Sequence, residues 1–321
     1  MFEQISSRQW LQGLSLVGFS SKLGQKLLLA SSLFVLLTLP TKLVAQNVVS
    51  QDLETASLYQ QGVIRYQNND LPAAEAAFRQ ALQRDPNIAA ARNFLGNILL
   101  RQNRLELAGQ EYSEAIRLNP NFGEAYYNLG LVLHKQGQQQ AAVSAYRQAL
   151  TFNPTMAATH YNLGLALYEQ GQYQEAIAAY QQAINLDNSN TDAYLNLALV
   201  LQKDNQIDQA IDTYRQVLKL NPELGVAYNN LGSLLSMQGK NAEAITVYQQ
   251  AIRLNPKNAL ALYNLGVALY NQGDINNAKK SFSRALNEYT RQGDTEKTEN
   301  ITQMLQQLGQ NVTSKTPEVK Q

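Results

Sequence analysis

The chain has 321 residues, a net charge of +1 and no cysteine. That balance gives no pull toward nucleic acid or an acidic membrane surface. The missing thiols exclude disulfides, thiolate metal sites and cysteine nucleophiles.

At the amino terminus, the apolar run LLLASSLFVLLTLP (27–40) follows Lys22 and Lys26. A basic flank, an apolar core shorter than the roughly 18–20 residues of a spanning helix, and the small Ala45 are the parts of an export signal. Leu43 is larger than the residue preferred two positions before a cleavage point. An uncleaved membrane tether through 27–40 is therefore the alternative. We expect an exported, periplasmic or lumenal protein, or one anchored by this segment. Residues 1–45 stand apart from the fold, and 46–54 form a short lead-in.

From Thr55 the sequence repeats. YYNLG at 126–130 returns as HYNLG (160–164), YLNLA (194–198), YNNLG (228–232) and LYNLG (262–266), an interval of 34 residues. A fixed period of this length marks a stacked repeat architecture. With Asn128 and its counterparts at position 6, seven repeats run unbroken: 55–88, 89–122, 123–156, 157–190, 191–224, 225–258 and 259–292. Position 8 is Gly, or Ala198 in the fifth repeat, and position 20 is always Ala. Small residues at both predict a close crossing of two helices, which offsets the roughly 1 kcal/mol cost of a mid-helix Gly. Position 15 is Gly or Asn, the residues that accept a left-handed helix end. Position 24 is always Phe or Tyr. Position 32 is Pro except at Asn188 and Thr290, and proline ends the second helix. Each repeat thus reads as helix, turn, helix, turn. Beyond 292, Ile301, Met304, Leu305 and Leu308 form one apolar stripe before Gly309. This predicts a capping helix over 293–309, with a polar, disordered tail over 310–321.

These columns resemble the tetratricopeptide repeat family across 55–292. The resemblance implies an all-α, right-handed superhelical solenoid of seven helix-turn-helix repeats plus the C-terminal capping helix, with the first helices lining a concave groove. Position 4 departs from the family's frequent Trp. On a helical wheel, positions 4, 7, 8 and 11 cluster as the packed side, and positions 2, 5, 6, 9, 12 and 13 lie opposite. The candidate peptide-binding groove then comprises Asn128, Asn162, Asn196, Asn230 and Asn264 at position 6. Between these rungs stand Tyr127, Tyr161 and Tyr263 at position 5, Leu131 and Leu165 at position 9, and His134 and Tyr168 at position 12. An Asn amide offers a donor and an acceptor, so one per repeat can grip an extended backbone without reading its side chains. The column is similar to the asparagine ladder in the repeat region of O-linked N-acetylglucosamine transferases, whose glycosyltransferase domain has no counterpart here. It is also open to a structural reading, as a residue common at this position that caps or bridges helices. The Gln- and Asn-rich style resembles exported cyanobacterial members of the family.

Chemistry for catalysis is missing from the sequence. His134 and His160 fall on opposite helix faces, and no metal-ligand pair, phosphate-binding loop or nucleophile-base set is present. No cofactor is expected. Basic residues do not cluster with aromatics, which argues against nucleic acid. Position 5 lacks the Lys with which chaperone-binding members of the family clamp a terminal carboxylate. The expected function is a non-catalytic scaffold holding an extended segment of another protein. The alternatives are a membrane-tethered assembly factor or chaperone, and an accessory subunit of a glycosyltransferase or cell-envelope enzyme.

Overall fold

The computed structural model describes residues 53–313; the expected export segment and the end of the tail lie outside the described residues. Fifteen α-helices and no strand occur among them. Two units divide the chain at Pro154 and Thr155.

In the first unit, three repeats pair α1 (Leu53–Gln67) with α2 (Leu71–Arg84), α3 (Ala89–Arg101) with α4 (Leu105–Leu118), and α5 (Gly123–Lys135) with α6 (Gln139–Phe152). In the second, four repeats pair α7 (Ala157–Glu169) with α8 (Tyr173–Leu186), α9 (Thr191–Lys203) with α10 (Ile207–Leu220), α11 (Gly225–Met237) with α12 (Asn241–Leu254), and α13 (Ala259–Gln272) with α14 (Ile275–Gln292). Helix α15 (Thr295–Thr313) follows.

Turn chemistry sets the boundaries. Between paired helices the position-15 residue takes positive φ: Asn69 at 61°, Asn103 at 60°, Asn205 at 62°, and Gly137, Gly171, Gly239 and Gly273 between 74° and 91°. Asn tolerates this conformation better than any β-branched residue, and Gly adopts it freely. Between repeats, proline has a partner that the sequence reading passed over. The side-chain oxygens of Asp85, Asn119, Asp187, Asn221 and Asn255 at position 31 each accept the backbone N–H two residues on, at 2.9–3.1 Å. Such Asx turns fold the chain back by themselves. The turn at Asp187 needs no proline: Asn188 follows it, and the Ser189 hydroxyl adds a 2.7 Å bond to the same oxygen. The other exception, Thr290, lies inside α14, which runs on to Gln292 and ends at Gly293 with φ 75°.

Packing explains the repeating glycine. A Cβ on Gly130 would lie 2.5 Å from the Tyr146 ring, and one on Gly96 would lie 2.6 Å from Tyr112. The space is filled by the position-24 aromatic, not by the position-20 Ala alone, although Ala142 is itself fully buried. The whole aromatic column, Phe78, Tyr112, Tyr146, Tyr180, Tyr214, Tyr248 and Phe282, is buried. In every repeat but the fifth, which has Ala198, the ring presses into the gap left by a glycine's missing side chain, a fit that dispersion rewards.

The buried arc of the first helices is wider than the wheel implied. Position 3 (Ala91, Ala125, Thr159, Ala193, Ala227 and Ala261) and position 10 (Ile98, Val132, Ala166, Val200, Leu234 and Ala268) are buried almost completely. Small residues at position 3 admit the neighbouring backbone, so their burial leaves little hydrophobic signal in sequence.

Helix α15 buries Ile301 and Leu308. It passes through Gly309 without stopping, so residues 310–313 are helical rather than part of a disordered tail. A single exposed Gly costs about 1 kcal/mol and does not end a helix without a left-handed turn. None of the described helices is long and apolar enough to cross a membrane.

Candidate functional site

The candidate residues are distributed over the first helices of both units. On α5, Asn128 is only 6 % exposed. Its Nδ2 donates to Asn93 Oδ1 at 3.1 Å and to Asn97 Oδ1 at 3.0 Å, both on α3. The Tyr112 hydroxyl donates to the same Asn97 oxygen at 2.7 Å. Asn93 Nδ2 donates to Glu124 Oε1 at 3.1 Å. The rung in this repeat therefore belongs to a buried polar cluster of Asn93, Asn97, Asn128 and Tyr112, joined by the half-buried Glu124. Buried amides demand such partners.

Glu124 was missed in the sequence. It stands at position 2 of its repeat, where the others carry Ala, Asp, Val or Leu. Burial raises its pKa above the ordinary carboxylate range, against hydrogen bonds from Asn93, Asn128 and Asn97 that lower it. Tyr127 is buried with its ring 6.2 Å from Tyr146. Leu131 and His134, one and two turns further along α5, are half-buried.

The second unit is more open. Asn162, Asn196 and Asn264 are half-buried. Asn162 donates to the Ala158 carbonyl of its own helix at 2.9 Å. Asn196 donates to the Tyr161 hydroxyl at 3.0 Å. Asn264 has no side-chain partner among the described residues. Asn230 is 7 % exposed and donates to the Tyr214 hydroxyl at 3.1 Å. Leu165, Tyr161 and Tyr168 are half-buried on α7, with Tyr168 5.8 Å from the Tyr173 ring. Burial first, and the Asp192 carboxylate second, push the Tyr161 hydroxyl pKa up. Tyr263 is half-buried, and its hydroxyl lies 3.9 Å from the Met304 sulfur on α15. The capping helix thus reaches the same helix face that carries Asn264.

These contacts define one relation. Positions 2 and 6 of a repeat meet position 5 of the repeat before it: Glu124 and Asn128 meet Asn93, and Asn196 meets Tyr161. Neighbouring first helices therefore touch through this face, which is why position 5 is more often buried than the wheel suggested. Among the described residues, no group of His, Cys, Asp and Glu could hold a metal ion.

A succession of helix pairs, each with a small residue on its first helix and a buried aromatic ring on its second, defines a helical-repeat protein. The model of the cilia and flagella-associated protein 70 C-terminal domain matches residues 90–304. The tetratricopeptide repeat model matches residues 55–88. The chain belongs to the tetratricopeptide repeat family. A comparison with curated proteins gives no match. Among solved structures, YrrB, described as a tetratricopeptide protein with an unusual peptide-binding site, is 25% identical with a TM-score of 0.54. That match covers 58% of this chain and 96% of YrrB. The C-terminal part of a repeat-containing protein from Cytophaga hutchinsonii matches with a TM-score of 0.62 at 16% identity, over 71% of this chain and 94% of its own. PilF of Pseudomonas aeruginosa matches at 0.54 and 22%, over 69% and 99%. The last two show the shared fold.

Proposed function

We propose that the protein is a non-catalytic scaffold that holds an extended segment of another protein along its first helices. The observation that carries this reading is the half-buried state of Asn162, Asn196 and Asn264 in the second unit, with Tyr161, Leu165 and Tyr168 beside Asn162 on α7. Amides there can meet a peptide backbone, and Tyr supplies contact area at low rotamer cost. YrrB, with its peptide-binding site, supports the reading by similarity. Neighbouring first helices stand roughly 8–10 Å apart, so the Asn162 and Asn196 rungs are spaced by a few residues of an extended chain at about 3.3 Å each, and the buried Asn230 is skipped before Asn264.

The test is binding of the full chain to an array of short peptides of varied sequence. Replacing Asn162, Asn196 and Asn264 together by Ala raises helix propensity and removes the rungs. Binding that weakens by tenfold or more, on the order of 1.4 kcal/mol, with an unchanged helical spectrum supports the reading. Undiminished binding by the triple variant overturns it. The apolar run at 27–40 supports placement beyond a membrane. Amino-terminal sequencing of the mature protein separates cleavage near Ala45 from a retained tether.

A further inference from the structure

One seam of the first unit, where α4 meets α5, lacks a side chain that other repeats supply. Position 21 carries Glu75 in the first repeat and Ile177, Ile211 and Ile245 in the fourth to sixth. After each of these, the Leu residues at positions 7 and 11 of the following repeat are buried. Leu95 and Leu99 are 1 % exposed, and Leu197, Leu201, Leu231, Leu235, Leu265 and Leu269 are 8 % exposed or less. Ile177 and Ile211 are themselves buried, as residues that fill a seam should be. In the second repeat position 21 is Gly109, and the pattern breaks there: Leu129 and Leu133 on α5 are only half-buried.

A cleft of about 540 Å³ stands in place of the side chain, with Gly109, Leu129, Val132 and Leu133 among its lining. A Cβ on Gly109 would meet only Val132, at 3.5 Å. The rim is polar and tied to itself. The Ser113 hydroxyl donates to the Gly109 carbonyl at 2.7 Å, Gln136 donates to Glu106 at 3.4 Å, and Arg117 donates to Glu114 at 2.6 and 2.9 Å. An apolar centre inside a polar rim is the layout of a protein contact site. Both walls are helices, whose backbone groups bond internally. An extended segment laid here would bury backbone N–H and C=O groups without partners, whereas a helix brings its own bonds already made. Glu106, Gly109, Gln110 and Ser113 stand at i, i+3, i+4 and i+7 on α4. That is the outline of a hole that receives one side chain from a facing helix.

We infer that this cleft docks a helical segment of another protein, which inserts one branched aliphatic side chain, Val, Ile or Leu, over Gly109. The chain itself shows the size and chemistry of the occupant, because Ile stands at this position in the fourth to sixth repeats. The inserted side chain completes the burial of Leu129 and Leu133 and removes apolar surface from water. The site is independent of the Asn rungs: its floor comes from positions 7, 10, 11 and 21, and the candidate groove from positions 5, 6, 9 and 12.

The test is selection from a display library of helix-forming peptides randomised along one face, run against the full chain and against Gly109→Ile. The variant gives the second repeat the residue that the fourth to sixth already carry, and an unchanged helical spectrum reports that it folds. Peptides that bind the wild type are expected to lose about tenfold or more in affinity for Gly109→Ile and to share Val, Ile or Leu at one fixed place. Replacing that residue by Ala should cost a similar factor, and the Leu129 and Leu133 methyl resonances should move when the peptide is added. Binding should persist when Asn162, Asn196 and Asn264 are replaced by Ala, which separates this site from the proposed groove. Peptides that bind Gly109→Ile as well as the wild type, leave both leucine signals unmoved, or depend on the three asparagines overturn the inference. So does a library that yields no binder. A wild type that dimerises alone, and is monomeric as Gly109→Ile, overturns it in favour of a second copy as occupant. Should Gly109→Ile not fold, the leucine signals of the wild type decide.

Discussion

Two glycines in helices call for opposite substitutions. A methyl on Gly130 must displace the Tyr146 ring, whereas one on Gly109 meets only Val132, at an ordinary 3.5 Å. We expect Gly130→Ala to lower stability by about 1–2 kcal/mol, overpacking outweighing the helix-propensity gain. Gly109→Ala should raise it by about 1 kcal/mol; denaturant midpoints check both. Gly109 also stands where repeats three to six carry Val or Ile, and a cleft of about 540 Å³ lies beside it between α4 and α5. In two repeats position 24 meets position 9: Tyr112 and Tyr248 donate to Asn97 and Ser233. At Glu124 the sign of the pH effect follows from its raised pKa. The folded chain keeps this proton to a higher pH than the unfolded chain. Its contribution to stability is therefore lost as pH rises from the ordinary carboxylate range through the raised value. Glu124→Gln should gain on the wild type across that window, as thermal midpoints at successive pH values would record. Column arithmetic found the glycines and the aromatics, but not Glu124, because a single carboxylate at a variable column leaves no periodic trace.

At the level of the helix and its turn, the sequence carried the second helices and the left-handed turns plainly, since Asn and Gly recur at fixed spacing. It carried the inter-repeat turn only in part. Proline drew attention, while the Asp or Asn before it supplies the hydrogen bond, so Asn188 reads as an exception only when proline is taken as the cause. Asp187→Ala should accordingly cost about 1 kcal/mol, comparable to losing a helix cap, measured as a lowered denaturation midpoint. The candidate groove was legible as a set of columns but not as an environment. Asn128 and Asn230 look identical to Asn162 and Asn264 in sequence, and only three-dimensional neighbours separate buried rungs from half-exposed ones. The partner of Asn128 lies 35 residues away at Asn93, one residue off the repeat period, a displacement no alignment of columns would display.

On the scale of the whole molecule, each unit is a sum of neighbouring contacts, and an end repeat without cover is the weak point of such a sum. Helix α15 covers the last repeat with Ile301 and Leu308 and reaches Tyr263 through Met304. Ending the chain after Gly293 should lower the melting temperature and raise binding of an apolar dye, as calorimetry and fluorescence would report. A further set of ties joins consecutive repeats. Gln136 donates to Glu106 at 3.4 Å, Gln238 donates to Asp208 at 2.7 Å, and Gln174 donates to Asp204. In the last pair the amide and the acid have changed places, yet the bond persists. The joints are therefore keyed rather than universal. Repeats of this chain are alike in shape but not interchangeable in order: a tandem duplication of the fifth repeat would bring one copy's Asp208 against the next copy's equivalent of Asp204, carboxylate to carboxylate. Recombination that duplicates this repeat, a hazard of a repetitive gene, would thus generate a product whose new seam repels.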